Sequence, residues 1–348
     1  MKTTRLNSEM SLSDYHATTG DWRLQLKRNE RKTRWVIATF IAVYVGVGLI
    51  VDTFVLQSFH PTASLAQCFT ALLTFQATPL ATLLMAGIAG VSLLVTYAMY
   101  DRIMLLGTDS REITPETAKT IQEKQLYHVV EEMKVAAGLQ FMPKVFIIEA
   151  NYMNAFASGY SEKSAMVAIT RGLMEKLDRA ELQAVMAHEL SHVRRHDIKL
   201  TLMVAVLSNI LLVVIDLLFY STLFKRDNRD DNRFLMVIMV LRYVLPIITL
   251  FLGLFLSRTR EYMADAGCVE LMRDNEPMAR ALMKIRDDTQ THAEQYEQEY
   301  GQTAHEQVRR ASYLFDPSDI DPVKSLSSSF STHPSVDQRL VALGFKAK

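Results

Sequence analysis

The chain has very little cysteine and no excess of either charge. Among 348 residues there are two cysteines, Cys68 and Cys268, and 38 Lys plus Arg balance 38 Asp plus Glu. Two thiols in segments that the topology below assigns to opposite sides of a bilayer exclude a disulfide framework, and each reads as a small buried packing residue. Zero net charge leaves no electrostatic footprint for nucleic acid, so none is expected as a partner. No internal repeat or low-complexity tract is present, the Ser-rich run 325–331 coming nearest. Histidine is scarce, nine in all, so the spacing of those present carries information.

Apolar residues, in contrast, come in blocks. Residues 35–56, 80–100, 200–224 and 234–256 each reach the roughly 20 residues that cross a hydrocarbon core. The first block follows 34 largely polar residues and is too long for the apolar region of a cleaved leader, so it is expected to stay in the mature protein. Arg23, Lys27, Arg28, Arg31, Lys32 and Arg34 precede it, whereas 57–78 contains no Lys or Arg. That asymmetry predicts a cytoplasmic N-terminus in a plasma (inner) membrane protein, with the polar block 101–199 on the same side.

The connection KRDNRDDNR, residues 225–233, carries four basic residues against this rule, so the third and fourth blocks either cross or form a hairpin that does not span fully. Asp216 and Arg242 lie equally far from its centre, and an antiparallel hairpin predicts an ion pair between them, a structural clasp. The expected organisation is a cytoplasmic extension (1–34), two transmembrane helices with a short outer loop (35–100), a first catalytic part (101–199), a helical hairpin (200–256) and a second catalytic part (257–348). The extension places Trp22, Leu24 and Leu26 beside basic residues suited to anionic lipid, and is expected to be a disordered tail.

Within the soluble part, residues 121–137 have helical apolar spacing and stop at Gly138, a natural left-handed cap. Residues 144–148 and 165–170 are short and β-prone, suggesting a small hairpin or sheet. A further helix is expected from Asp178, with Glu181 completing a capping box, and it carries AHELSHVRRHD. Residues 279–311 read as a charged, solvated helix and 316–331 as loop.

In the H-E-L-S-H segment, His188 and His192 are four residues apart and project from one helix face toward a single ion, while Glu189 reaches a metal-activated water. The chemistry this pattern supports is peptide hydrolysis without a covalent intermediate; one Zn2+ per chain is the expected metal, although the spacing alone does not distinguish zinc from another divalent ion. His196 and Glu261 are the candidates for a third ligand. On a straight helix His196 sits about 12 Å along the axis from His188 and is poorly placed unless the helix breaks. Glu261 lies in SRTREYMAD, just after the fourth apolar block, with Asp265 one turn later on the same face. Asp265, and likewise Asp197, are placed to accept a hydrogen bond from a ligating histidine.

Taken together, NAFASG at 154–159, AHELSHVRRHD at 187–197, SRTREYMAD at 257–265 and STHPSVDQRL at 331–340 occur in an order that resembles the HtpX heat-shock membrane proteases. More distantly the chain resembles the CAAX prenyl proteases of the same clan. The resemblance implies a mainly α, zincin-like (gluzincin) integral membrane metalloprotease with a small β-sheet and about four transmembrane or hairpin helices. It implies His188, His192 and Glu261 as zinc ligands, Glu189 as general base, and His333 and Arg339 as donors to the oxyanion. Asn154, Ala155 and Phe156 correspond to a substrate-binding edge strand.

The function implied is an endopeptidase at the cytoplasmic membrane face acting on damaged or misfolded membrane proteins. The alternatives are a dedicated CAAX-protease-like processing enzyme and a noncatalytic zinc-containing scaffold or chaperone. Because Glu261 follows the second helical hairpin, insertion of that hairpin and completion of the zinc site are expected to be coupled.

Overall fold

The computed structural model describes residues 12, 15–17, 21–105, 108–159, 161–224, 232–302, 313–314 and 333–347. The chain divides into two compact units, one of residues 1–32, 99–199 and 257–348, the other of 33–98 and 200–256.

The second unit is helical. It takes most of α1 (Trp22–Phe59), α2 (Leu65–Leu73), most of α3 (Leu80–Leu105), and the greater parts of α7 (Asp197–Phe224) and α8 (Asn232–Met272). Phe40 and Tyr44 of α1, Met85 of α3, Leu211 of α7 and Ile238 and Leu245 of α8 share one apolar core. Other faces leave Leu84, Ile88, Val91, Leu217, Ile247 and Phe251 exposed, a surface suited to hydrocarbon.

Among the described residues three helices, Trp22–Phe59, Leu200–Tyr220 and Phe234–Met272, are long and apolar enough to cross a membrane. The expected span at 80–100 falls within α3, where the apolar stretch Leu80–Thr96 is shorter. The basic connection lies outside the described residues from 225 to 231.

Two carboxylates stand out in this unit. Asp52, buried on α1, accepts hydrogen bonds from Ala81 N (2.7 Å), Thr82 N (3.0 Å) and Thr82 Oγ1 (2.6 Å). It caps the first turn of α3 from another helix, satisfying N–H groups that a helix start leaves open. Asp216 Oδ1 lies 2.8 Å from Arg242 Nε, and the guanidinium also stacks 4.2 Å from the Phe219 ring centroid. The predicted pair therefore forms.

The first unit is built on a four-stranded sheet in the order β2–β3–β5–β4. Its strands are β2 (Ser110–Ile113), β3 (Lys144–Ile148), β4 (Ala155–Ser158) and β5 (Met166–Thr170). Of the expected hairpin or sheet it is the sheet that forms: β3 and β5 pair in parallel, and it is β4 that runs antiparallel to β5. A parallel pair needs a crossover, here the segment containing β4, whereas local alternation gives no hint of partner or direction. All residues of β4 and β5 are buried.

Sharing the sheet's apolar core is α4 (Ile121–Ala137), opened by a Thr120/Glu123 capping box and closed by Gly138 at φ 70°. After the short α5 (Arg171–Lys176), Asp178 and Glu181 form the capping box that starts α6 (Arg179–Arg194). Almost every α6 residue from Glu181 to Val193 is buried, because α4, β4, β5 and α9 (Glu276–Thr291) all pack on it. The polar segment after residue 279 is thus corrected from a solvated helix: α9 starts earlier, packs Met278, Leu282 and Ile285 into the core, and gives way at His292 to α10 (Ala293–Gln302). Its expected continuation to 311, and the loop 316–331, lie outside the described residues.

The disordered-tail reading of the extension is also corrected for its described part. Residues 22–34 form the start of α1, and Tyr15–Ala17 form β1, paired antiparallel with β6 (Phe345–Ala347) beyond α11 (Val336–Leu343). Trp22 and Leu26, four residues apart on one helix face, find apolar partners in Met263 and Ala266.

A double-mutant cycle of Asp216→Asn and Arg242→Gln, followed by unfolding in detergent, should return a coupling of about 0.6 kcal/mol, typical of polar contacts between membrane helices. Specific activity per folded molecule should stay at the wild-type level. Loss of turnover without loss of stability would instead make the pair part of the chemistry.

Candidate metal centre

Because α6 is enclosed, its two histidines point into protein. His188 is fully buried and His192 nearly so, with Nε2 atoms 3.2 Å apart. From α8, Glu261 brings one carboxylate oxygen to 3.6 Å from His188 Nε2 and the other to 3.6 Å from His192 Nε2. These three residues form the one candidate metal-holding cluster among the described residues, with ligand atoms within 4.8 Å of one another.

The cluster's partners fix its orientation. His192 Nδ1 faces Asp197 Oδ2 at 2.8 Å, and His188 Nδ1 faces Asp265 Oδ1 at 3.0 Å. Each imidazole thus turns one nitrogen to a buried carboxylate and the other to the shared point, the pattern that sets the tautomer of a metal-binding histidine. Asp197 reaches His192 because α6 ends: His196 takes a left-handed φ of 54°, so the chain turns before α7 begins. The helix therefore does break, yet His196 is exposed and Asp197 is the residue delivered to the site.

Charge is compensated outward in layers. Arg339, on α11, donates from Nε to Asp265 Oδ2 (2.9 Å) and from Nη2 to Asp265 Oδ1 (2.6 Å), a two-pronged clamp, and from Nη1 to Leu314 O (2.8 Å). Arg260 Nε lies 3.4 Å from Asp197 Oδ1. Burial opposes ionisation of Asp197, but the Arg260 charge and the His192 hydrogen bond hold its carboxyl below the usual range. Burial likewise disfavours a charged His188, but hydrogen bonds to Asp265 and Glu261 prevail and raise its pKa to about 9. The site attracts positive charge.

Glu189 turns toward β4. Its carboxylate accepts a hydrogen bond from the Ala157 backbone, its Oε2 is buried and accepts none, and burial raises its pKa above the ordinary carboxylate value. A carboxylate so placed is suited to hold and release a proton. His333 is buried with Nδ1 3.6 Å from Glu261 Oε2. Asn154 is fully buried, donating from N to Thr170 Oγ1 (2.9 Å) and accepting from Ala155 N at Oδ1 (3.0 Å). Phe156 packs on Tyr313, and the Ala155 carbonyl accepts from Leu314 N at 2.9 Å.

A zinc ion fits this set. Donors 2.0–2.1 Å from a tetrahedral centre lie about 3.3 Å apart, close to the 3.2 Å and 3.6 Å separations here. A neutral imidazole whose Nδ1 donates to a carboxylate offers its Nε2 lone pair, and two such lone pairs meeting a carboxylate require a cation between them.

Sequence spacing brought the histidines and glutamates into view but missed Arg260, Leu314 and the Ala157 contact. Arg260 adjoins Glu261, and its signal is that proximity alone. Nothing in the sequence marks Leu314. The cysteines take no part: both are free and buried, and Cys268 Sγ donates to Ala184 O at 3.2 Å.

A buried His–His–Glu set with a further buried glutamate beside it, carried by a chain with membrane-length apolar helices, defines a membrane-embedded metalloendopeptidase. The sequence profile of peptidase family M48 matches residues 120–345. A Helicobacter pylori protein, "Protease HtpX homolog", is 40% identical over 318 residues, covering 91% of this chain and 96% of that relative. A protein of the same description from Dictyoglomus thermophilum is 35% identical over 249 residues, or 70% and 75%. The chain belongs to peptidase family M48. Among solved structures, S. mikatae Ste24p matches with a TM-score of 0.48 and 19% identity, covering 92% of this chain and 67% of that one.

Close helix packing holds the ligands together. A Cβ on Gly267 of α8 would lie 2.5 Å from Ser191 Oγ and 2.9 Å from Ser191 Cβ on α6. Gly267→Ala should therefore cost about 1–3 kcal/mol by overpacking and, by shifting Glu261 about 1 Å, lower kcat/KM on the order of 100-fold. Adding Ser191→Gly should restore most of both losses; kinetics and unfolding of the single and double variants check this.

Proposed function

We propose that this chain is a zinc-dependent endopeptidase whose site faces the cytoplasm at the inner membrane and cuts damaged or misfolded membrane proteins. The observation that carries the zinc reading is the convergence of His188, His192 and Glu261, with each imidazole backed by its own carboxylate. The orientation rests on the basic residues before the first span. The quality-control role follows from the HtpX likeness.

Bound zinc supplies a Lewis acid and brings the pKa of water toward about 7. Glu189 Oε2 takes the proton of the attacking water and passes it to the leaving amine nitrogen, a transfer suited to its raised pKa. Asp197 and Asp265 hold the two imidazoles in the ligating tautomer. His333 donates to the oxyanion. Arg339, which donates to Asp265 and Leu314 O and lies 3.7 Å from Glu261 Oε2 and 3.4 Å from His188 Nδ1, acts on the site through these ligand contacts rather than as a direct oxyanion donor.

Asn154, Ala155 and Phe156 bind substrate along β4, which is an edge strand among the described residues. Pairing at the Ala155 carbonyl requires Leu314 N to give way, since that acceptor is already engaged.

Purified full-length protein in detergent, given an unfolded membrane protein as substrate, should lose cleavage when a chelator is added and regain it with Zn2+. Glu189→Gln should retain one zinc per chain and lose about 100-fold or more in kcat. Equal cleavage by wild type and Glu189→Gln would refute the mechanism.

A further inference from the structure

The segment before the first membrane span lies outside the residues matched by the family profile, yet it contacts the two helices that bear the Arg339–Asp265 clamp. Tyr15 is 8% exposed and belongs to the main apolar core of its unit. Its hydroxyl donates to Asp337 Oδ1 (3.4 Å) in the first turn of α11. Gln25 Nε2 donates to Ala342 O (2.6 Å) in the last turn, where helix carbonyls lack internal partners. Directly after α11, β6 pairs with β1, Tyr15 opposite Ala347 and Ala17 opposite Phe345.

The same segment holds α8. Leu26 packs on Met263 and Ala266, the residues flanking the turn that carries Asp265. The Arg273 guanidinium, just past the end of α8, sits 5.3 Å from the Trp22 ring centroid. Between these anchors lie Arg339 on α11 and Asp265 on α8, joined by two hydrogen bonds, and Asp265 faces His188 Nδ1.

We propose that residues 15–17 and 21–26 are a positioning element of the metal centre, setting α11 against α8 so that Arg339 aims Asp265 and Asp265 aims His188. The inference rests on the zinc reading above and adds Tyr15 and Gln25 as positioning residues. The physical case is leverage. Side-chain hydrogen bonds bind both ends of an eight-residue helix to one short segment, while the same segment grips the facing helix on either side of the acceptor carboxylate. Releasing α11 leaves the Arg339 guanidinium free to shift, and a clamp of two short bonds tolerates little movement before Asp265 loses its fixed orientation.

The test uses full-length protein carrying Tyr15→Phe and Gln25→Leu together, which removes both polar contacts to α11 and keeps side-chain bulk. Zinc affinity by chelator competition, kcat, KM and the unfolding midpoint are measured on it, on Asp265→Asn, on the three combined, and on Val145→Ala in β3 as a stability control. The expected result is zinc binding weakened about tenfold, the lower end of losses for groups that orient metal ligands, with kcat reduced and KM unchanged. Asp265→Asn should abolish any further effect of the pair, and Val145→Ala should lower the midpoint without changing zinc affinity.

Wild-type zinc affinity and kcat in the Tyr15→Phe/Gln25→Leu protein would overturn the inference. So would losses that add fully to those of Asp265→Asn, or an equal loss of affinity in Val145→Ala. If Asp265→Asn does not fold, the comparison of the paired variant with Val145→Ala decides alone. Wild type that binds no zinc would instead remove the proposed function and this inference with it. Wild type that binds zinc, with an inactive Glu189→Gln and an unaffected paired variant, would remove the inference only.

Discussion

The buried contact of Arg339 with Asp265 is the constraint on which the metal centre depends. A guanidinium and a carboxylate taken out of water are costly unless they meet in good geometry, and leaving either alone costs several kcal/mol. Here both are 2% exposed or less and share two short hydrogen bonds. Once α11 and α8 are held at that distance, Asp265 has one remaining task, to face His188 Nδ1. Asp197, backed by Arg260, does the same for His192. Two carboxylates buried beside two histidines would destabilise an ordinary core. Here cations stand outside them, Arg339 against Asp265 and Arg260 against Asp197.

The rest of the fold delivers these helices. α6 is enclosed on several sides, so His188 is fully buried and His192 nearly so. Gly267 lets α8 approach α6 at Ser191, bringing Glu261 to within 3.6 Å of both Nε2 atoms. Asp52 capping α3 and Asp216 pairing with Arg242 show the same economy in the helical unit: each charged group in an apolar segment is matched by backbone N–H groups or an opposite charge.

Much of this was legible in the sequence where the signal was local. The extent of α4 followed from apolar spacing ending at Gly138, and the start of α6 from Asp178 and Glu181, because capping is a contact among near neighbours; the Thr120/Glu123 box that opens α4 was not read. The placement of His188 and His192 on one face follows from helix geometry, and the Asp216–Arg242 contact from hairpin symmetry. Contacts closed over long separations were not legible. The parallel pairing of β3 with β5, the presence of β2, the capping of α3 by Asp52 and the docking of Leu314 on Ala155 depend on tertiary placement that no periodicity encodes. The extension was misread because its composition is polar. Trp22 and Leu26 of one helix turn dock it together with Tyr15, Gln25 and the β1 pairing, and a moderate average conceals such residues.

X-ray absorption at the zinc edge of the purified full-length protein tests the central claim most directly. The account predicts a first shell of nitrogen and oxygen at about 2.0–2.1 Å with two imidazoles, reduced in occupancy by Glu261→Gln, and no sulfur. A shell containing sulfur at about 2.3 Å, or one unaltered in occupancy and composition by Glu261→Gln, would contradict it.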